Sequence, residues 1–131
     1  MKFITRDMDY AMRALCVIAH QKEMLCVDDL VKETRITRPF LRKILQILNR
    51  HKLIKSYRGR GGGFVLLKKL KDISLLDIIR IFKKDVVLSD HTFKKSKCPK
   101  VKECILKKEM DKIENYIISK FDSIKMQALM K

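Results

Sequence analysis

The sequence predicts a mainly α-helical chain with one small β-hairpin, and three observations predict it. Leu, Ile, Lys, Glu and Met dominate 131 residues that contain no Trp, two Pro and four Gly. Apolar residues recur at three- and four-residue steps over most of the length. After His51 that rhythm stops, and two short runs of β-formers flank every glycine in the protein. A chain of this length with 47% apolar residues suits one folded domain with a real core.

Taken in order, Thr5 is a natural cap for a first helix, on which Met8, Ala11, Met12, Leu15, Ile18 and Ala19 follow at helical spacing. A second, shorter helix fits Val27 to Glu33, with Asp28 and Asp29 in its first turn. Thr37 can cap a third helix, and Pro39 falls in its first turn, where a missing N–H costs little. Leu41, Ile44, Leu45 and Leu48 form its apolar stripe, while Arg38, Arg42, Lys43, Gln46 and Asn49 lie opposite. Leu53 to Tyr57 and Phe64 to Leu67 read as strands joined by Arg58-Gly59-Arg60-Gly61-Gly62-Gly63. A turn needs one or two glycines, so four of them between arginines suggest a tip that lies against something flat and negative. Ser74 with Asp77 makes a partial capping box for a fourth helix, and Leu75, Ile78, Ile79 and Phe82 are its apolar face. Residues 85–102 are polar, Lys-rich and contain Pro99, which reads as a loop. A last helix runs from Cys104 to the end, with Leu106, Met110, Ile113, Ile117, Phe121, Ile124 and Ala128 in helical register.

Charge supplies the functional signal. The formal net charge is +16, and twelve Lys or Arg with no Asp or Glu fall between Arg35 and Lys71. The rest of the chain is nearly balanced, so the excess is a concentrated polyanion site and not a general surplus of lysine. Helix, helix, turn, helix and hairpin is the order of a winged helix-turn-helix. A helix about 10–12 Å across fits the ~12 Å major groove of DNA. Arg38 and Arg42 are then the base readers, since Arg pairs guanine in bidentate fashion, with Thr37 and Lys43 beside them. Lys43, Lys52 and Lys55 suit phosphates. Gly59, Gly61 and Gly62 keep the wing thin, and Arg58 or Arg60 enters the narrow, negative minor groove. The rival reading is a basic protein that binds RNA or the nucleoid without sequence preference. An enzyme is disfavoured: there is no Cys-x-x-Cys and no Ser/His/Asp set in recognisable context. The glycine run joins two strands and opens no helix, so it is no nucleotide loop.

No stretch approaches the ~18–20 apolar residues of a membrane span, and the first residues lack an apolar signal core. The expectation is a cytoplasmic protein without a membrane partner, whose four cysteines are kept reduced. Residues 1–84 are read as the DNA-binding domain, 85–103 as a sensor or cofactor loop, and 104–131 as a dimerisation helix. Two such helices would pack through Ile113, Ile117, Phe121 and Ile124. That packing would set the about 34–36 Å between recognition helices that two half-sites require.

The run Ile36-Thr37-Arg38-Pro39-Phe40-Leu41-Arg42-Lys43-Ile44-Leu45, then Leu48, Leu53-Ile54 and residues 56–66, resembles the IscR/NsrR/CymR family of bacterial winged-helix regulators. Residues 73–79 and 9–15 are similar to the family's segment after the wing and to its first helix. The Arg-Gly-x-Gly-Gly-Gly-Phe wing is the most specific part. The resemblance implies a homodimer on an imperfect palindromic operator in double-stranded DNA that represses or activates genes in response to iron–sulfur status, nitric oxide, redox state or cysteine supply. Arg42-Lys43 stands where several relatives carry Glu-Gln, so the operator sequence does not carry over.

The cluster-binding branch of that family has three cysteines about six residues apart before the last helix. Cys98 and Cys104 match the second and third, and the first falls at Thr92, beside His91. Lys107 sits where one branch has a histidine ligand, and Asp9 matches a carboxylate ligand of another. The resemblance thus implies a 2Fe-2S or 4Fe-4S cluster held by Cys98, Cys104, His91 and Asp9 of the partner subunit. Two alternatives stand beside it. One is a branch that has lost its cofactor. The other is a thiol switch or zinc site, with Lys97, Lys100 and Lys102 lowering a thiol pKa. Cys16 reads as a small buried apolar residue. Cys26 lies in a connection without a motif.

Overall fold

The fold is that of a computed structural model, which describes residues 2–88 and 104–130. Helix α1 (Arg6–His20) begins where Thr5 Oγ1 accepts the Met8 N–H at 3.4 Å. Its buried face is Met8, Ala11, Ala14, Leu15 and Ile18. The spacing of three and four keeps these side chains on one side of the helix. Helix α2 (Val27–Thr34) ends at Arg35, which takes a left-handed conformation (φ 59°). Buried Thr34 locks the turn that follows. Its Oγ1 donates to the Leu30 carbonyl at 2.6 Å and accepts the Ile36 N–H at 3.2 Å. That drives Ile36 into the core and delivers the chain to Thr37, the N-cap of α3 (Arg38–Arg50). Thr37 takes the extended N-cap conformation without a side-chain cap bond, and Pro39 lies in the first turn. Leu41, Ile44, Leu45 and Leu48 bury one face of α3 against α1 and α2.

The hairpin pairs β1 (Ile54–Tyr57) antiparallel to β2 (Gly63–Leu66), with Ile54 opposite Leu66 and Tyr57 opposite Gly63. A third, one-residue strand is added from the connection before α2. Leu25 bridges Phe64, whose N–H donates to the Leu25 carbonyl at 2.9 Å. The wing is therefore anchored from both sides. A single 3₁₀ turn (Leu70–Asp72) leads to α4 (Leu75–Lys83). Ser74 and Asp77 exchange both bonds of the capping box at 2.9 and 3.1 Å.

The last helix departs from the sequence expectation. Helix α5 (Ile105–Ser123) stops at Ile124, which is extended, and a one-turn helix α6 (Met126–Leu129) follows. The break is made by tertiary hydrogen bonds. Lys125 bridges Ser74, Leu75 N–H donates to the Ile124 carbonyl, and Met126 N–H donates to the Ile73 carbonyl, both at 2.8 Å. Met126 is fully buried in the same core as Leu15, Ile44 and Ile78. The C-terminal segment is thus built into the body formed by residues 2–88. Among the described residues no helix is long and apolar enough to cross a membrane.

Candidate nucleic-acid interface

Helix α3 and the wing face a common space. Arg42, Gln46 and Asn49 from α3 and Ser56 and Arg58 from the hairpin line an open cleft of about 370 Å³. Val27, Leu45 and Phe64 complete its lining. Arg42 reaches it because Ile44 and Leu48 hold the opposite side of α3 in the core. Arg58 reaches it because the Leu25–Phe64 bridge sets the tilt of the hairpin.

The glycines divide by role. Gly59 (φ 93°) and Gly61 (φ 73°) turn the chain at the tip, with no atom within 4 Å of an added Cβ. A Cβ on Gly62 would stand 2.3 Å from the Tyr57 carbonyl oxygen, and one on Gly63 2.5 Å from that of Leu25. All four glycines therefore have an intramolecular reason. Their number is no argument for a flat partner; the arginines at the tip are.

The basic residues differ in what holds them. Arg38 forms an ion pair with Asp28 in the first turn of α2, and Lys43 one with Asp7 in the first turn of α1 at 3.5 Å. Among the described residues Arg42, Arg58 and Arg60 make no ion pair, and all three are exposed. The Arg38 and Lys43 pairs are solvent-exposed, so each is worth about 0–1 kcal/mol and yields readily to a stronger anion. Sequence reading missed both. The signal was present in Asp7 and Asp28, but which cation each acid meets depends on helix packing. Phe40, 53% exposed at the start of α3, has its ring edge against Tyr10 at 6.5 Å.

The profile of the Rrf2 family, described as an iron-dependent transcriptional regulator, matches residues 4–131. The chain belongs to the Rrf2 family. A protein of Aquifex aeolicus named as an HTH-type transcriptional regulator is 36% identical over 74 residues, which are 56% of this chain and 51% of that one. The HTH-type transcriptional regulator NsrR of Oceanobacillus iheyensis is 30% identical over 82 residues, 61% of this chain and 56% of that one. The chain thus spans about half the length of these two relatives. The solved structure of T. potens IscR has the same fold, with a TM-score of 0.71 at 21% identity over 98% of this chain and 85% of that one. The Rrf2 relatives are named as transcriptional regulators, not as enzymes.

For this Rrf2 chain the predicted cofactor and dimer residues are placed as follows. His91 and Cys98 lie outside the described residues. Cys104 is half-buried at the N-cap of α5, and Asp9 is bound to Arg13 at 2.8 Å. Lys107 holds Asp111 at 2.6 Å, so a charged, paired ammonium occupies the position where the resemblance has a histidine. Among the described residues no three or more His, Cys, Asp or Glu side chains gather into a metal-holding group. Ile113 is 47% exposed, whereas Ile117 and Phe121 pack on the chain's own core, Phe121 edge-on to Phe3 at 5.8 Å. Ile124 lies past the end of α5 and takes part in the link to Leu75.

Two cysteines differ from their sequence reading. Cys26, without a motif, is the N-cap of α2: its N–H and its thiol both donate to Asp29 Oδ2, at 3.3 and 3.1 Å. Those bonds, the thiol's first, hold the Asp29 carboxyl below the ordinary carboxylate range. Cys16 is half-buried, not enclosed, and partial burial pushes its thiol pKa up.

Proposed function

We propose that the chain binds a palindromic operator in double-stranded DNA as a homodimer, with α3 in the major groove and the wing in the adjacent minor groove. The observation that supports it is the shared cleft between Arg42 of α3 and Arg58 of the wing, two exposed cations that make no ion pair among the described residues. A duplex presents phosphates on both sides of each groove, and cations on two neighbouring elements can meet both. Arg42, with Gln46 and Asn49 beside it, reads base edges. Thr37 and Lys43 contact the backbone, and Arg58 and Arg60 reach into the minor groove past Gly59, Gly61 and Gly62. Arg38 joins them by exchanging Asp28 for DNA.

Selection from random duplexes followed by competition is the direct test. A regulator prefers its operator over random DNA by about 10³-fold or more. Arg42→Ala should cost about 1–3 kcal/mol and relax one base position, while Lys43→Ala should weaken all sequences alike. Equal affinity for operator, random DNA and RNA would replace this reading with sequence-blind binding.

The signal is read at the loop before α5. The family description and the resemblance support an iron–sulfur cluster held by Cys98, Cys104, His91 and the partner's Asp9. Bound there, it would supply a redox-sensitive centre. This chain's part is to present the Cys104 thiol at the start of α5 and to release Asp9 from Arg13. Anaerobic purification with iron and sulfide analysis tests it, and a colourless protein after reconstitution refutes it.

A further inference from the structure

Away from α3 and the wing, two clefts open between α1 and the C-terminal segment. The larger, about 310 Å³, is lined by Met12, Cys16, Met126 and Met130, with Asp9 and Arg13 also on it. The smaller, about 210 Å³, shares Cys16 and Met130 with it and is completed by Val17, His20, Gln21 and Glu33. Met12 and Cys16 are four residues apart on α1. Met126 and Met130 are four apart on the last turn, where Met130 N–H donates to the Met126 carbonyl at 3.2 Å. Residues at that spacing have Cβ atoms about 5–6 Å apart on one face. Two segments thus each bring a pair of sulfur side chains to the same recess.

Methionine in a core fills gaps that other side chains leave. Met126 does so and is fully buried. Met12, Cys16 and Met130 are half-buried instead, and they border open space rather than filling it. Three of the chain's seven methionines and one of its four cysteines meet here.

We propose that Met12, Cys16, Met126 and Met130 form a binding site for a soft monovalent cation, Cu(I), between α1 and the C-terminal segment. Thioether and thiolate donors select Cu(I), whereas oxygen-rich sites take harder ions. His20 and Glu33 border the smaller cleft beside Cys16, but among the described residues no three His, Cys, Asp or Glu side chains form a metal-holding group, so Zn(II) lacks its usual donor set. On binding, the Cys16 S–H bond breaks, an S–Cu bond forms and the proton passes to water. Copper stays Cu(I), and no electron is transferred. The neutral thiol favoured by partial burial must lose that proton, so affinity rises with pH. A bound ion ties α1 directly to the segment that follows α5. The site shares no lining residue with the cleft between α3 and the wing.

The test uses the full chain with Cys26, Cys98 and Cys104 replaced by Ser, leaving Cys16 as its one thiol. Under anaerobic conditions it is titrated against Cu(I) held by the chelator bicinchoninate. The expected result is one Cu(I) withdrawn per chain, with a thiolate-to-copper ultraviolet band and a raised unfolding temperature. Cys16→Ser on this background should abolish all three. Met130→Leu and Met12→Leu conserve volume and keep the fold. Each should weaken Cu(I) binding by at least the ~10–100-fold that loss of an outer-shell partner costs a metal site. Excess Zn(II) should not compete. Failure to draw Cu(I) from the chelator, binding unchanged by both Met→Leu variants, or displacement by Zn(II) would each overturn the proposal.

Discussion

Gly63→Ala probes how the wing is aimed. Gly63 is buried at the start of β2, opposite Tyr57. An added Cβ would stand 2.5 Å from the Leu25 carbonyl oxygen and 2.7 Å from its carbon. Ordinary carbon contacts lie at about 3.5–4.0 Å, so backbone must move. The neighbouring bond from Phe64 N–H to the Leu25 carbonyl, 2.9 Å, is then stretched or lost. A lost hydrogen bond costs about 0.5–1.5 kcal/mol and overpacking about 1–3 kcal/mol, giving about 1.5–4.5 kcal/mol together. Gly61→Ala is the control. It meets no atom within 4 Å but keeps φ at 73°, a conformation costing about 1–2 kcal/mol for an L side chain. Urea unfolding should rank Gly63→Ala below Gly61→Ala, and both below the parent chain. Phe64 lines the cleft between Arg42 and Arg58, so Gly63→Ala should also weaken DNA binding. A Gly63→Ala chain as stable as Gly61→Ala would refute the claim that the Leu25 bridge sets the wing.

The other predictions concern the C-terminal half, the dimer and Asp29. Met126→Ala removes a fully buried side chain and should cost about 2–5 kcal/mol in urea unfolding; a loss below half a kcal/mol would mean that the C-terminal segment is not part of the core. Ile113→Asp alters an exposed residue of α5 and should give a folded monomer by light scattering with circular dichroism unchanged, whereas Ile117→Asp should also unfold the chain, because Ile117 packs on its own core. A dimeric Ile113→Asp would move the interface elsewhere. The Asp29 carboxyl, depressed first by the Cys26 thiol and then by the Cys26 N–H, stabilises the chain above the ordinary carboxylate range, and that contribution is lost as pH falls through its lowered folded value. Cys26→Ala should raise the Asp29 midpoint toward the ordinary value in an NMR titration, and an unmoved midpoint would show that the thiol bond does not contribute to the depression.

Local signals made much of this molecule readable in the sequence. Thr5, Thr37, and Ser74 with Asp77 mark helix starts because the groups that cap a helix lie within three residues of it. The stripe Leu41, Ile44, Leu45 and Leu48 determines which face of α3 is buried, and hence that Arg42 is exposed. The short runs of β-formers after His51 and the glycines between them identify the hairpin. Three other features were not readable. Ile124 continues the helical rhythm, yet α5 ends there, because Ile73 and Leu75 offer backbone partners that no periodicity records. Cys26 has no capping signature, yet Asp29 sits where its N–H and thiol can both donate. Ile117 and Phe121 lie on an apolar stripe that fits a partner helix or the chain's own core, and half-buried they pack against that core, a contact no periodicity records.

By itself the sequence determined where helices begin, which faces are apolar, and that the cations cluster in the middle third. Those properties depend on neighbours a few residues away along the chain. Tertiary structure alone decided that Arg42 and Arg58 share one recess, that Asp28 and Asp7 hold Arg38 and Lys43, and that Met12, Cys16, Met126 and Met130 line one cleft beside α1. Each of these joins segments far apart in the chain, and their meeting depends on how the helices pack, which no local pattern encodes.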